Sequence, residues 1–263
     1  MILMLGDVHG DIGHLRRAIE SERPVAVIFL GDIESPVAFE KFVAELMTMT
    51  EVWWIPGNHD TDSQDSYRNL YESALAARNL HGRVVDIAGV RVAGLGGVFR
   101  HQIWYPPGDP SFLAYEDMVA NKFRHKKALT AAGLASLKCR NPAPEVIQLL
   151  REGQLRKHQS SIFYADWRDL CGRQADILVS HEAPSCHPNG FREIDVLAQS
   201  MKVKFAFHGH HHDCLNYRPF DQQLGFQAFG VGFRGVSDMY GGKVIPGSFD
   251  EAGVHRHEQD GKK

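Results

Sequence analysis

Five short apolar runs in this chain each end in a residue that can bind a metal. They are Met1 to Leu5 before Asp7 and His9, Val25 to Leu30 before Asp32, Val52 to Ile55 before Asn58, His59 and Asp60, Ile177 to Ser180 before His181, and Phe205 to His208 before His210, His211 and His212. The runs are β-branched or aromatic and four to six residues long, so they predict buried strands. Polar residues gathered at the ends of adjacent strands can converge on one centre, which constrains the chain to a layered α/β fold with its chemistry along one edge.

The segments between the runs read as helices. Ile12, Leu15, Ala18 and Ile19 recur at helical spacing after the first run. Ser35 and Pro36 read as an N-cap and first helical residue, with Phe39, Phe42, Val43 and Leu46 on one face. Tyr67, Leu70, Tyr71, Ala74 and Leu75 predict a third helix, and Val84 to Leu95 a hairpin turning near Gly89, so the sheet is expected to be mixed. From about His101 to Gly172 the strand pattern stops, and the segment is expected to be a mainly helical insertion in a single domain spanning 1–263. Its basic residues Arg124, Lys126, Lys127, Arg156 and Lys157 are read as a solvated face, with phosphate attraction as the alternative. Short runs at Phe226 to Phe233 and Lys243 to Ile245 should finish a sheet, and the polar tail from Asp250 is expected to fray.

A net charge of −3 argues against a protein that coats nucleic acid or an anionic membrane, since both are held by excess Lys and Arg. Cys139, Cys171, Cys186 and Cys214 are too scattered for a zinc ribbon or redox motif and read as reduced thiols. With no leader-like start and no apolar stretch of membrane-spanning length, the expected location is the cytoplasm.

In an extended strand alternate side chains point the same way, so Asp7 with His9, and His210 with His212, are expected to address common ions. Carboxylate, imidazole and amide oxygen together suit manganese, iron or zinc. Any one of these histidines alone is more often a structural or surface residue; the ordered set is what points to metal. His208 and His210 also flank a glycine, but the Gly-His-x-His register is preferred, with His211 turned away and His14, His187, His255 and His257 unconnected to the metals.

Gly6-Asp7-Val8-His9-Gly10, Gly31-Asp32, Gly57-Asn58-His59-Asp60, Ser180-His181 and Gly209-His210-His211-His212 resemble, in order, the motifs of the calcineurin-like metallophosphoesterase superfamily. The resemblance implies a four-layer α/β/β/α sandwich of two mixed sheets and two metal ions about 3.5 to 4 Å apart. It implies Asp7, His9 and His212 on one ion, Asn58, His181 and His210 on the other, and Asp32 bridging both. A bridging water, acidified from a pKa of 15.7 to about 7, would be the nucleophile, with no covalent phosphoenzyme. His59, paired to Asp60, would stabilise or protonate the leaving group, or else orient Asn58. Arg100 is a candidate for a phosphate oxygen, surface pairing being the alternative.

The expected substrate is a small soluble phosphomonoester or phosphodiester. Gly31-Asp32-Ile33-Glu34 lacks the Asp-Arg-Gly of the serine/threonine protein-phosphatase and diadenosine-tetraphosphatase branches, and Asp60 stands where those branches carry Glu. Protein phosphatase and dinucleoside polyphosphate hydrolase are therefore kept as alternatives. A nuclease ranks below small substrates, and an inactive scaffold of the same fold is the non-enzymatic alternative.

Overall fold

The computed structural model describes residues 1–122 and 144–250. Among these residues ten strands form two five-stranded sheets. In the first, β1 (Ile2–Leu5), β2 (Ala26–Phe29) and β3 (Glu51–Trp54) run parallel, β9 (Val236–Asp238) pairs antiparallel with β1, and β10 (Lys243–Ile245) pairs antiparallel with β9 at the edge. In the second, the hairpin of β4 (Arg83–Ile87) and β5 (Val90–Leu95) leads into β6 (Ile177–Ser180), β7 (Phe205–His208) and β8 (Gln227–Gly230), all parallel to β5.

Alternation along the strands separates three cores. Ile2, Met4, Ala26, Ile28 and Trp53 face Ile87, Val92, Ile177, Val179 and Phe207 between the two sheets. Leu3, Leu5, Val27, Phe29 and Trp54 point the other way, onto α1 (Leu15–Glu22), α2 (Phe39–Phe42) and α3 (Gln64–Tyr71) through Leu15, Ile19, Phe39 and Leu70. On the far side Ala93, Leu95, Leu178 and Ala206 meet Met118 of α4 (Tyr115–Lys122), Leu170 of α6 (Tyr164–Cys171) and Ile194, Leu197 and Ala198 of α7 (Arg192–Met201). The order is α/β/β/α. β1, β2 and β6 are buried along their whole length because both faces are covered, which is why their sequences are continuously apolar rather than alternating.

The expected hairpin turns at Ala88 and Gly89, both at positive φ, with the Asp86 carboxylate accepting the Gly89 amide. Two expectations need correction. Ser35 is not an N-cap: its hydroxyl donates to the Val37 carbonyl, and α2 begins only at Phe39, where Pro36 and the left-handed Glu34 no longer shape the chain. The late strands do not finish one sheet, for β8 extends the second and β9 and β10 the first. Within 101–172 the described helices are α4, α5 (Pro144–Lys157) and α6, with a 3₁₀ turn at His158–Ser160. Arg124, Lys126, Lys127, Cys139 and the tail with His255 and His257 lie outside the described residues.

Candidate active site

Asp7, Asp32, Asn58, His181 and His210 all lie just past the ends of their strands, on one edge shared by both sheets. Extended alternation is not what gathers them. His9, Asp32, His210 and His212 have φ of 43°, 45°, 69° and 59°, so four candidate ligands sit in left-handed backbone that costs an L-residue about 1 to 2 kcal/mol. Tertiary hydrogen bonds hold these conformations: the amides of His9 and Gly10 donate to the carbonyls of Asp32 and Ile33, and the His210 amide to Asp7 Oδ2. Glycine is needed where ligands crowd the backbone. A methyl group on Gly57 would strike Asp32 and His181, and one on Gly209 would strike Asp7.

The side chains form two clusters with ligand atoms within 4.8 Å of one another: Asp7, His9, Asp32 and His212, and Asp32, His181 and His210. Asp32 belongs to both. Asn58 Oδ1 lies 3.2 Å from His181 Nε2, at the second cluster. His181 Nδ1 donates to the Leu30 carbonyl at 2.7 Å, which turns Nε2 toward Asp32 Oδ2 at 3.5 Å. A ring nitrogen fixed on a carbonyl so that the other faces the centre is the usual arrangement of a metal-binding imidazole. His208, the other register, has Nδ1 on the Gly209 carbonyl and Nε2 on the Tyr217 hydroxyl, so neither nitrogen is left for an ion.

The donor set fits divalent cations on two further observations. His9 Nε2 and His212 Nε2 face each other at 3.1 Å beside two buried carboxylates. Asp7 Oδ1, fully buried, has no hydrogen-bond partner among the described residues, which is costly for a carboxylate unless a cation takes that place. The field is correspondingly negative. Burial works against charge on His181, yet Asp32 and Asp7 outweigh it and raise its pKa to about 10. His210 goes the other way, down to about 3, through burial and the neighbouring His181.

His59 does not pair with Asp60. Its Nδ1 donates to Asp62 Oδ2 at 2.7 Å, because the 3₁₀ turn at His59–Thr61 brings residues three apart onto one side. Asp60 is fully buried and accepts the amides of Ile33, Glu34 and Gly57, tying the Asp32 loop to the Asn58 loop. Burial and the nearby Asp32 carboxylate push its own carboxyl up to about 7, against the pull of those amides. The His59 amide donates to Asp32 Oδ1, and its ring lies 5.7 Å from that of His9.

Sequence reasoning also missed Glu34, whose carboxylate lies 2.7 Å from His9 Nδ1. Its type and position signalled an acid beside the motif, but not its aim. His187, expected to be unconnected to the metals, belongs to neither cluster; it is buried, stacks on His211 at 3.8 Å, and lies 3.3 Å from Asp213, so it packs behind the His210–His212 turn.

The end of the segment 101–172 abuts this edge. Arg156 donates to the carbonyls of Thr61 and Asp62 and to Gln64, and Thr61 Oγ1 lies 2.7 Å from Ser160 Oγ. Arg156 is therefore committed to the His59 turn rather than to a solvated face. Arg100 reaches Ser160 Oγ through Nη2, and its buried Nε has no partner among the described residues. Burial disfavours its charge, which Asp62, Glu182 and Asp32 support from nearby.

A model of the calcineurin-like phosphoesterase family matches residues 1–214. An uncharacterized protein of Haemophilus influenzae is 38% identical over 245 residues, covering 93% of this chain and 96% of that protein. Among solved structures, the 5′-nucleotidase of Candida albicans aligns at 15% identity and a TM-score of 0.43 over 89% of this chain and 46% of its own, so this chain spans about half its length. TT1561 of Thermus thermophilus aligns at 14% identity and a TM-score of 0.45, over 92% of this chain and 98% of that one. With the family's motifs carried at the ends of strands from two mixed sheets, around clusters that fit divalent metal, the chain belongs to the calcineurin-like phosphoesterase family and is a metal-dependent phosphoric ester hydrolase.

Proposed function

We propose that this chain hydrolyses a small soluble phosphomonoester or phosphodiester at a centre of two divalent ions. Asp7, His9 and His212 hold the first ion, Asn58, His181 and His210 the second, and Asp32 both. The observation that carries this reading is the membership of Asp32 in both clusters, since one carboxylate between two sets of donors is what a dinuclear centre requires. The mixed oxygen and nitrogen donors suit manganese, taken as the first choice, and iron or zinc as alternatives. When bound, such ions neutralise charge on phosphoryl oxygens and acidify a coordinated water.

The chain's own groups do the rest. Asp7 and Asp32 supply buried negative charge to hold the ions. His59, with Nδ1 committed to Asp62, has Nε2 to give a proton to the leaving oxygen. Asp60 serves that step indirectly, by fixing the loops that carry Asp32 and His59. Arg100, half-buried beside Ser160, is the candidate guanidinium for a phosphate oxygen.

The segment 101–172 is read as an insertion in a single domain that shapes the rim of the site, as its contacts with Thr61 and Asp62 support. No described helix is long and apolar enough to cross a membrane. A cytoplasmic enzyme is the reading the free Cys171, Cys186 and Cys214 favour, since thiols persist in a reducing compartment.

The test is metal-depleted protein reconstituted with Mn²⁺, Fe²⁺ or Zn²⁺, with ions counted per chain. Turnover is then followed on nitrophenyl phosphate, its diester, cyclic nucleotides, dinucleoside polyphosphates and phosphopeptides. Two ions and fastest turnover of a small ester are expected. A single ion at saturation would overturn the dinuclear centre, preference for phosphopeptides or dinucleotides would favour those branches, and ion binding without turnover would leave a scaffold.

A further inference from the structure

Glu34 adopts a conformation that a glutamate reaches only at a cost. Its φ is 47°, and two residues before it Asp32 is left-handed as well. Such strain persists only where the surroundings impose it, and here they are identifiable. The buried Asp60 carboxylate accepts the amides of Ile33 and Glu34 through one oxygen and that of Gly57 through the other, while the Ile33 carbonyl accepts the Gly10 amide. The loop is pinned from both sides. Its outcome is that Glu34 Oε1 lies 2.7 Å from His9 Nδ1, and His9 turns Nε2 toward His212 Nε2 at 3.1 Å and Asp32 Oδ2 at 4.0 Å.

We infer that Glu34 is a positioning residue for His9: held by Asp60, it accepts the His9 Nδ1 hydrogen and so fixes the ring with Nε2 presented to the cluster of Asp7, Asp32 and His212. The inference rests on the ligand assignment proposed above. An imidazole whose second nitrogen is bound to a carboxylate is oriented, kept in one tautomer and made a stronger donor, and loss of such a partner typically weakens metal binding about 10- to 100-fold. The Asp60–Glu34–His9 chain also explains why a left-handed glutamate is tolerated here: the strain is spent placing a carboxylate that any right-handed residue would direct elsewhere. His181 receives the same service from the Leu30 carbonyl, so each cluster contains one imidazole locked through Nδ1.

The test is calorimetric titration of Mn²⁺ into metal-depleted wild type, Glu34→Ala, Glu34→Gln and His9→Ala, with thermal unfolding of each metal-free protein alongside. Glu34→Ala should weaken one binding step about 10- to 100-fold, the same step that His9→Ala removes, and leave the other within about threefold. Glu34→Gln keeps an oxygen that accepts from Nδ1, so it should restore most of that affinity. Unchanged binding in Glu34→Ala, equal loss in the alanine and glutamine variants, or equal weakening of both steps with a lowered unfolding temperature would each overturn the inference. The wild-type titration separates the two levels: a single ion there removes the dinuclear reading, and the Glu34 inference is then decided by whether that ion is weakened in Glu34→Ala.

Discussion

The Nδ1 of His59 donates to Oδ2 of Asp62 across 2.7 Å, so an imidazole at the mouth of the site is oriented by a residue of its own turn. The side chains are 45% and 59% exposed, which makes the pair weak as a source of stability and well placed to meet a substrate. Replacing His59 by Ala should leave metal content intact and slow turnover about 10²- to 10⁴-fold. The loss should be largest for an alkyl phosphate, whose alkoxide needs a proton, and smallest for nitrophenyl phosphate. Equal losses for both leaving groups would make His59 an electrostatic element and not a proton donor.

The same pair fixes a pH dependence. Burial lowers the pKa of His59, but Asp32, the hydrogen bond to Asp62 and the charge of Asp62 together raise it. Cations on Asp32 would cancel its share, leaving Asp62 as the main support for the protonated ring. A proton donor works below its pKa, so rate on alkyl phosphates should fall as pH rises through that value. Asp62→Asn should move this descending limb to lower pH, and a profile that stays in place would separate Asp62 from the proton transfer.

Asp60 and Asp62 are predicted to behave oppositely. Asp60→Ala removes the acceptor of three amides, two of them buried, and a buried amide left without a partner costs about 1 to 3 kcal/mol, so the variant should be destabilised by about 3 kcal/mol or more. Asp62→Ala, at an exposed site, should stay within about 0.5 kcal/mol of wild type. Denaturant unfolding of the two metal-free variants measures the difference, and a mild effect at Asp60 would show that the loop knot is replaceable.

Asp32→Asn tests the shared carboxylate. The amide oxygen can still accept the His59 amide, so the loop should survive. Half of the negative charge from Asp7 and Asp32 is lost, and ion uptake at both steps of a titration should weaken together with a near loss of turnover. Full activity with two ions bound would mean that another group links the clusters.

The layers and the site were legible to different depths. Continuous apolar runs ending in Asp, Asn or His identify strands buried on both faces, because only covered strands can do without alternation, and they place the candidate ligands on one edge. What the sequence could not reveal lies in backbone sign and in turn geometry. Asp7 and His9 looked like alternate residues of one strand, yet β1 ends at Leu5 and His9 is delivered by positive φ. Asp60, adjacent to His59, looked like its partner, whereas a 3₁₀ turn favours the residue three along. Glu34 was legible as an acid beside the second motif but not as a partner of His9, since nothing local reports that a segment distant in sequence will hold it left-handed. The sheet joined by β9 and β10 depends on pairing with β1, more than 230 residues away in the chain.

The segment 101–172 gives the last prediction through Arg156, which holds the carbonyls of Thr61 and Asp62 from α5 while Ser160 meets the Thr61 hydroxyl. These bonds join the segment to the turn that carries His59 and Asp62, so disturbing them should act on chemistry before it acts on binding. Arg156→Ala is expected to lower kcat on alkyl phosphates while sparing nitrophenyl phosphate and metal content. The stability loss should be about 1 to 3 kcal/mol, since three long hydrogen bonds at a partly exposed site are lost and each has a net worth of about 1 kcal/mol or less. Lys157, whose carbonyl rather than its amine meets Ser160 and Thr61, supplies the control: Lys157→Ala should leave that ratio unchanged. A substitution at Arg156 that instead raises KM for large substrates, with kcat and leaving-group dependence untouched, would assign its guanidinium to the substrate and free the His59 turn from the segment's control.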